Sequence, residues 1–217
     1  MDTLVGMTNT RAYLSAAASA VELISDPAVT ARWAEPSALQ FLTVGGLAAH
    51  LGRQILNVPE ALAEPLTGSE QVSLFGHYVQ SAWTDGDLES DSNRKVRTGS
   101  EQGASGGPEA LLARVTETLD RLRAEFANGS TPPVVQLPWA TWSMSWSDFL
   151  TTRLLEIAIH SDDLAASVGI ETPVLPDEVI EPVVGLLSRL AVRRHGQAAV
   201  LRALARSERA PKTVSAF

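Results

Sequence analysis

Glu156 and His160 stand four residues apart in Leu154-Leu155-Glu156-Ile157-Ala158-Ile159-His160. On a helix that spacing puts a carboxylate and an imidazole on one face, one turn apart. Arg153, Asp163 and Ser167 extend the same polar line between apolar neighbours. Alone, a Glu-x-x-x-His pair is more often an ion pair on a solvated face than a ligand set. His50 shifts the balance. It lies in Leu47-Ala48-Ala49-His50-Leu51-Gly52, among small and apolar residues, with Arg53 and Asn57 following on its face. Two helices of one bundle would then each carry a metal-capable group, and bundles build metal sites from side chains on facing helices. Two histidines and one carboxylate form an open set for a divalent ion, leaving coordination positions for water or substrate. Zinc, nickel, iron and manganese all accept these donors. The spacing also places Asp163 where it can orient the His160 imidazole.

The other chemistry-bearing residues are less sharply defined. His77, beside Tyr78, reads as a substrate or cofactor contact. His195, in Arg193-Arg194-His195-Gly196, suits the C-terminus of a helix, where a cation complements the dipole. Of the tryptophans at 139, 142 and 146, Trp139 reads as pocket rim and the other two as packing. The chain contains no cysteine. Disulfides, thiolate ligands and a protein thiol nucleophile are excluded, so any thiol chemistry needs an external thiol.

The elements that must position these residues are helical, for 3.6-residue periodicity is common and strand patterns are scarce. Helices are expected over about 8–25, 44–62 with Thr43 as N-cap, 69–83, and from Pro108 to Asn128-Gly129. Another should run from Ser147 to about Val168, and two more over about 176–195 and 197–207. Residues 131–147, with Pro132, Pro133 and Pro138, read as irregular. Residues 84–108, dominated by Gly, Ser, Asp and Asn, read as a long mobile loop inside a single domain spanning 1–217. The expected fold is all-α, a bundle of four long helices with one or two extra C-terminal helices outside it.

The totals narrow the class of partner. The 217 residues are 45% hydrophobic and 19% charged, with net charge −8. A chain with a pI near 5.0 lacks the cations to neutralise nucleic-acid phosphates or to hold an anionic membrane surface. No apolar run is long enough to span a bilayer, and the N-terminus does not read as a signal peptide. The expected setting is cytoplasmic.

Two segments resemble the N-terminal domain of mycothiol-dependent maleylpyruvate isomerases, within the DinB/YfiT-like superfamily of bundle metalloproteins. They are Leu42-Thr43-Val44-Gly45-Gly46-Leu47-Ala48-Ala49-His50-Leu51, and Phe149 to Arg153 continuing through Glu156, His160 and Asp163-Leu164. The ending, Arg194-His195-Gly196 and Glu208-Arg209-Ala210-Pro211, looks like small actinobacterial members. The resemblance implies a DinB-like four-helix bundle whose metal triad falls on His50, Glu156 and His160. It also implies transfer or addition of a small thiol, mycothiol as co-substrate, to an electrophile, and homodimers are common in such a family. The chain's length favours an S-transferase-like role over maleylpyruvate isomerisation. In that chemistry Arg53 or Arg153 would hold a substrate carboxylate or oxyanion. Two alternatives remain open at this point: a metal-dependent hydrolase on the same site, and a non-catalytic metal-binding stress-response bundle.

Overall fold

The computed structural model describes the backbone of residues 2–81 and 89–217, and side chains from residue 8 onward. In chain order the elements are α1 (Asp2–Ile24), α2 (Pro27–Ala31), α3 (Val44–Ala63), β1 (Gln71–Val72), α4 (Leu74–Gln80), α5 (Asp91–Ala104), α6 (Gly107–Glu125), β2 (Val134–Gln136), β3 (Ser143–Ser145), α7 (Trp146–Val168), α8 (Asp177–His195) and α9 (Gln197–Ala205), before a short 3-10 turn at Ser207–Arg209. The expected all-α bundle is what the chain forms. Helices α1, α3, α6 and α7 pack around one core, α5 lies along α3, and α8 covers α1 and α7 with α9 outside it. No helix among the described residues is long and apolar enough to cross a membrane.

Small residues set how closely these helices approach. The buried face of α1 is Ala12, Tyr13, Ala16, Ala17, Ala20 and Ile24. Leu14, Ala18 and Val21 are partly buried beside it. The alanine stripe lets the α7 backbone come close, which a leucine face would prevent. In α3, a Cβ on Gly52 would meet Val115 of α6 at 2.9 Å, and one on Gly45 would meet the Trp33 ring at 2.6 Å.

The segment 84–108 is the main correction. Residues 84–88 lie outside the described residues, but Asp91–Ala104 is a helix, capped by the Ser90 hydroxyl, which accepts from the Asn93 amide. Its glycines are contact points. A Cβ on Gly103 would sit 3.3 Å from the Ala49 Cβ of α3, and Ser100 and Ala104 are buried. Each glycine costs a helix about 1 kcal/mol relative to alanine, and tight packing against α3 offsets that cost. From α5, Glu101 reaches the start of α3, accepting from the Thr43 amide at 2.8 Å and from the Thr43 hydroxyl. A carboxylate there complements the helix dipole. Thr43 in turn caps α3 by accepting from the Gly46 amide at 2.9 Å.

Two further expectations are revised. Residues 69–83 hold a short strand and the seven-residue α4 rather than one helix, with 82 and 83 outside the described residues. The irregular stretch before α7 contributes β2 and β3 to a three-stranded sheet of order β1-β3-β2. β1 runs parallel to β3 and β2 antiparallel to it, with Val72 and Val135 both opposite Met144. Such short strands carry too little alternation to show in sequence. The sheet feeds straight into α7, whose N-cap is Ser145 rather than Ser147. It also fixes α4 beside α7, because the Leu74 amide donates to the Asp148 carboxylate at 3.1 Å. At the far end Gly169, at φ 72°, closes α7 in the left-handed conformation that glycine adopts without strain.

Candidate metal centre

His50, from α3, faces Glu156 and His160, one turn apart on α7. His50 Nε2 lies 3.6 Å and His160 Nε2 3.3 Å from the same Glu156 oxygen. One ligand atom from each residue falls within 4.8 Å of the others. The imidazoles meet edge to face, centroids 4.5 Å apart. The three side chains are 14–16% exposed, sheltered yet reachable.

The outer nitrogens decide what the inner ones present. The Ser100 hydroxyl donates its hydrogen to the Val96 carbonyl at 2.8 Å, so its oxygen accepts from His50 Nδ1–H at 3.3 Å. His160 Nδ1–H donates to Asp163 at 2.9 Å. Both imidazoles therefore turn Nε2 lone pairs toward the Glu156 carboxylate. Three electron-rich atoms aimed at one point repel each other unless a proton or a cation lies between them. The donor set and its outer partners fit a divalent ion: two neutral imidazoles, one carboxylate, and tautomers fixed from behind.

Without metal a proton fills that role. Burial alone would lower the His160 pKa, but the Asp163 and Glu156 carboxylates outweigh it and raise it to about 9. Burial lowers the His50 pKa, and the neighbouring His160 charge adds to the shift. Burial would raise that of Glu156, yet hydrogen bonds from His160 and His50 hold it well below the usual carboxylate range. At neutral pH the site thus holds one proton, on His160. Zinc uptake near pH 7 to 8 is expected to release about one proton per ion, with affinity falling about tenfold per pH unit on acidification. Calorimetry in buffers of different ionisation enthalpy measures this, and uptake without proton release would show that His160 is not a ligand. Because the folded value exceeds the ordinary 6.5, this proton stabilises the metal-free fold fully below about pH 6.5. That contribution is lost as pH rises through about 9, so metal-free thermal midpoints should fall across this window while zinc-loaded ones resist.

Arg153 lies one turn before Glu156 and is 7% exposed. It donates Nε–H to the Thr152 hydroxyl and an Nη1–H to Gln54 Oε1. Gln54 also donates to the His50 carbonyl at 3.0 Å, on the turn of α3 that carries the His50 imidazole. The Trp139 ring, 41% exposed, lies 5.5 Å from the guanidinium carbon. His77 is buried, and its Nδ1 accepts from Trp142 Nε1–H at 3.1 Å. Trp142 is therefore a polar partner rather than plain packing, whereas Trp146 is fully packed. Arg53 goes elsewhere. It is exposed, bonds Asn57 at 3.2 Å, and passes beside Gly99 of α5, away from Arg153 and its partner Gln54. His195 ends α8 as expected and contacts the Ser215 carbonyl at 2.8 Å. Sequence reasoning missed Gln54 and Ser100. Gln54 had a signal, four residues beyond His50 on one helix, and Ser100 had none once its segment was read as a loop.

A helical bundle carrying two histidines and a carboxylate on facing helices defines a class, the bundle proteins with a candidate metal centre between helices. Within that class, the sequence profile of the mycothiol maleylpyruvate isomerase N-terminal domain family matches residues 13–165. The chain belongs to that family, and the match takes in all three cluster residues. No curated protein and no solved structure matches it.

Proposed function

We propose that the protein is a metal-dependent thiol S-transferase or isomerase-like enzyme that activates an external small thiol, mycothiol, for attack on a small electrophile. The convergence of His50 Nε2, His160 Nε2 and the Glu156 carboxylate, each imidazole tied behind to an acceptor, carries this reading. The family's name supplies the thiol. His50, Glu156 and His160 would hold a divalent ion, zinc first among the candidates, whose positive charge would favour the thiolate form of an external thiol at neutral pH.

The chain's own residues do the rest. Ser100 and Asp163 keep the two imidazoles facing inward. The thiol proton passes to solvent, and as the sulfur electron pair forms the new S–C bond a π bond of the unsaturated electrophile breaks, its electrons moving to an oxygen that solvent later protonates. The charge thereby transferred to the electrophile lies beside Arg153, whose guanidinium is kept in place by Gln54 and Thr152. Trp139 covers that guanidinium from the rim and offers an apolar face to the substrate. With no cysteine in the chain, no protein thiol competes with the external one. A cytoplasmic setting fits, since small thiols are kept reduced there.

The test is consumption of a panel of electrophiles by zinc-loaded protein with and without mycothiol. Thiol conjugates formed only with both zinc and mycothiol are expected. Equal consumption of electrophile without thiol would replace this reading with hydrolysis, and no turnover under any condition would leave a binding bundle.

A further inference from the structure

Just before α3 the chain makes a tight loop between Pro36 and Thr43, which pair across its base. Ser37 closes it, its amide and its hydroxyl each donating to the Leu42 carbonyl at 2.9 Å. Within this closure Phe41 is held at φ 70°, the only non-glycine with positive φ among the described residues. That region suits glycine or asparagine, and a bulky residue there is strained. The Phe41 ring is also 53% exposed. A half-exposed ring on a strained backbone adds little to the fold. The Arg97 guanidinium of α5 nevertheless steadies it, 4.9 Å from the ring centroid.

Phe41 borders a cavity of about 510 Å³, lined also by Pro36, Leu39, Leu42, Thr43 and Glu101. That volume suits a small molecule. The lining is mainly apolar, and the Glu101 carboxylate already accepts from the Thr43 amide and hydroxyl. The cavity is continuous with the metal cluster on two sides. On α3, a Cβ on Gly46 would collide with the Glu101 carboxylate, and Gly46 stands one turn, about 6 Å, before His50 on the same face. Ser100, next to Glu101 on α5, accepts from His50 Nδ1–H. On α7, the Ala38 amide of the loop donates to the Ser167 hydroxyl at 2.8 Å. Ser167 donates in turn to the carbonyl of Asp163, the residue whose carboxylate holds His160. The loop thus rests on the neighbours of both imidazoles.

The geometry points to a subsite, walled by Phe41, Leu39 and Leu42, for an uncharged apolar group of the electrophile, whose reactive end lies at the metal cluster. Sugar hydroxyls of mycothiol would go unpaired against this lining, and an anion would face the Glu101 carboxylate. Phe41 is the specificity-determining residue, its backbone strain the cost of presenting a ring to the ligand rather than to the core. Assigning the occupant to the reaction rests on the thiol-transfer reading above, whereas the cavity's affinity for an apolar group does not.

The subsite is tested in full-length, chelator-treated protein with N-phenyl-1-naphthylamine, a neutral probe that fluoresces in apolar surroundings. The probe is expected to bind and to shift the methyl resonances of Leu39 and Leu42. Phe41→Gly removes the ring and installs a residue that adopts φ 70° freely. It should weaken binding about tenfold, the effect of losing an aromatic contact, while the thermal midpoint stays within about 4 °C of wild type. Ala34, exposed, also lines the cavity. Ala34→Trp fills that space with Phe41 intact and should weaken binding similarly, which keeps the test decisive if Phe41→Gly disturbs the loop. Unchanged probe affinity in both variants, or binding that leaves the Leu39 and Leu42 methyls unmoved, would overturn the subsite. With zinc and mycothiol, electrophiles carrying a lengthening alkyl chain should show KM falling about fourfold per methylene in wild type and far less in Phe41→Gly. A flat series in wild type, with the probe still bound, would overturn the assignment to the electrophile. If no thiol-dependent turnover is found, the thiol-transfer reading fails and the probe titration still decides the subsite.

Discussion

His160→Ala is expected to strip the metal and end thiol transfer while leaving a folded bundle. In the proposed site His160 supplies one of three protein ligands, and its Nε2 lies 3.3 Å from the Glu156 oxygen at the centre of the cluster. Losing a hydrogen-bonding partner behind a ligand costs about 10–100-fold in metal affinity, so losing the ligand itself should cost more than about 100-fold. Asp163→Ala, which removes only the acceptor behind His160 Nδ1, supplies the contrast and should fall within that range. The fold should survive, because α7 is anchored by Leu150, Leu154, Ile157 and Leu164, all buried, and alanine is a good helix former. Elemental analysis of the purified variant, its far-UV circular dichroism and a thiol-conjugation assay make the three measurements. Full metal content in His160→Ala would remove the cluster from the metal reading, and full activity in a metal-free variant would remove the metal from the mechanism.

Trp146→Ala is expected to produce the largest loss of stability, about 3–5 kcal/mol. Trp146 is the first residue of α7 and is 2% exposed. Its ring packs on Phe126 of α6 at 5.3 Å and on Phe149 at 5.8 Å, and its indole N–H donates to the Thr10 hydroxyl of α1 at 2.9 Å. One side chain thus joins three helices of the bundle at the point where the sheet hands over to α7. A loss of that size rivals the total stability of many domains, so zinc binding should fail along with the fold. Trp146→Phe keeps most of the apolar volume and gives up the hydrogen bond, and should cost less than half as much. Urea unfolding of both variants with and without zinc separates these contributions. An alanine variant as stable as wild type would show that α7 does not depend on this joint.

The two predictions differ in how far the sequence supports them. Helical spacing alone placed Glu156, His160 and Asp163 on one face of α7, because 3.6 residues per turn leaves little freedom in where side chains at i, i+4 and i+7 emerge. The same local rule marked Thr43 as a cap and Gly169 as a stop, and the absence of cysteine ruled out a protein thiol before any fold was known. The pairing of His50 with that face needed a second helix laid beside the first, which the sequence suggested through the expected bundle and the family resemblance.

Only the tertiary structure decided the rest, and the reasons are physical. Glycine-rich residues 91–104 carry a loop's composition, but their small face is what lets α5 lie against α3, and close packing outweighs weak helix propensity. That contact brings Ser100 to His50 Nδ1, a bond spanning 50 positions that no local pattern encodes. Arg53 and Arg153 were equivalent candidates as residue types. Arg53 projects toward α5 and solvent, whereas Arg153 turns inward to Gln54, so the helix face and its neighbours set the two apart. Trp142 and His77, 65 positions apart, meet because a short strand pairing holds α4 beside the start of α7. Strands of two and three residues have no period to read, so the tautomer of His77 belongs to the fold, while the candidate metal ligands of α7 were already legible in its spacing.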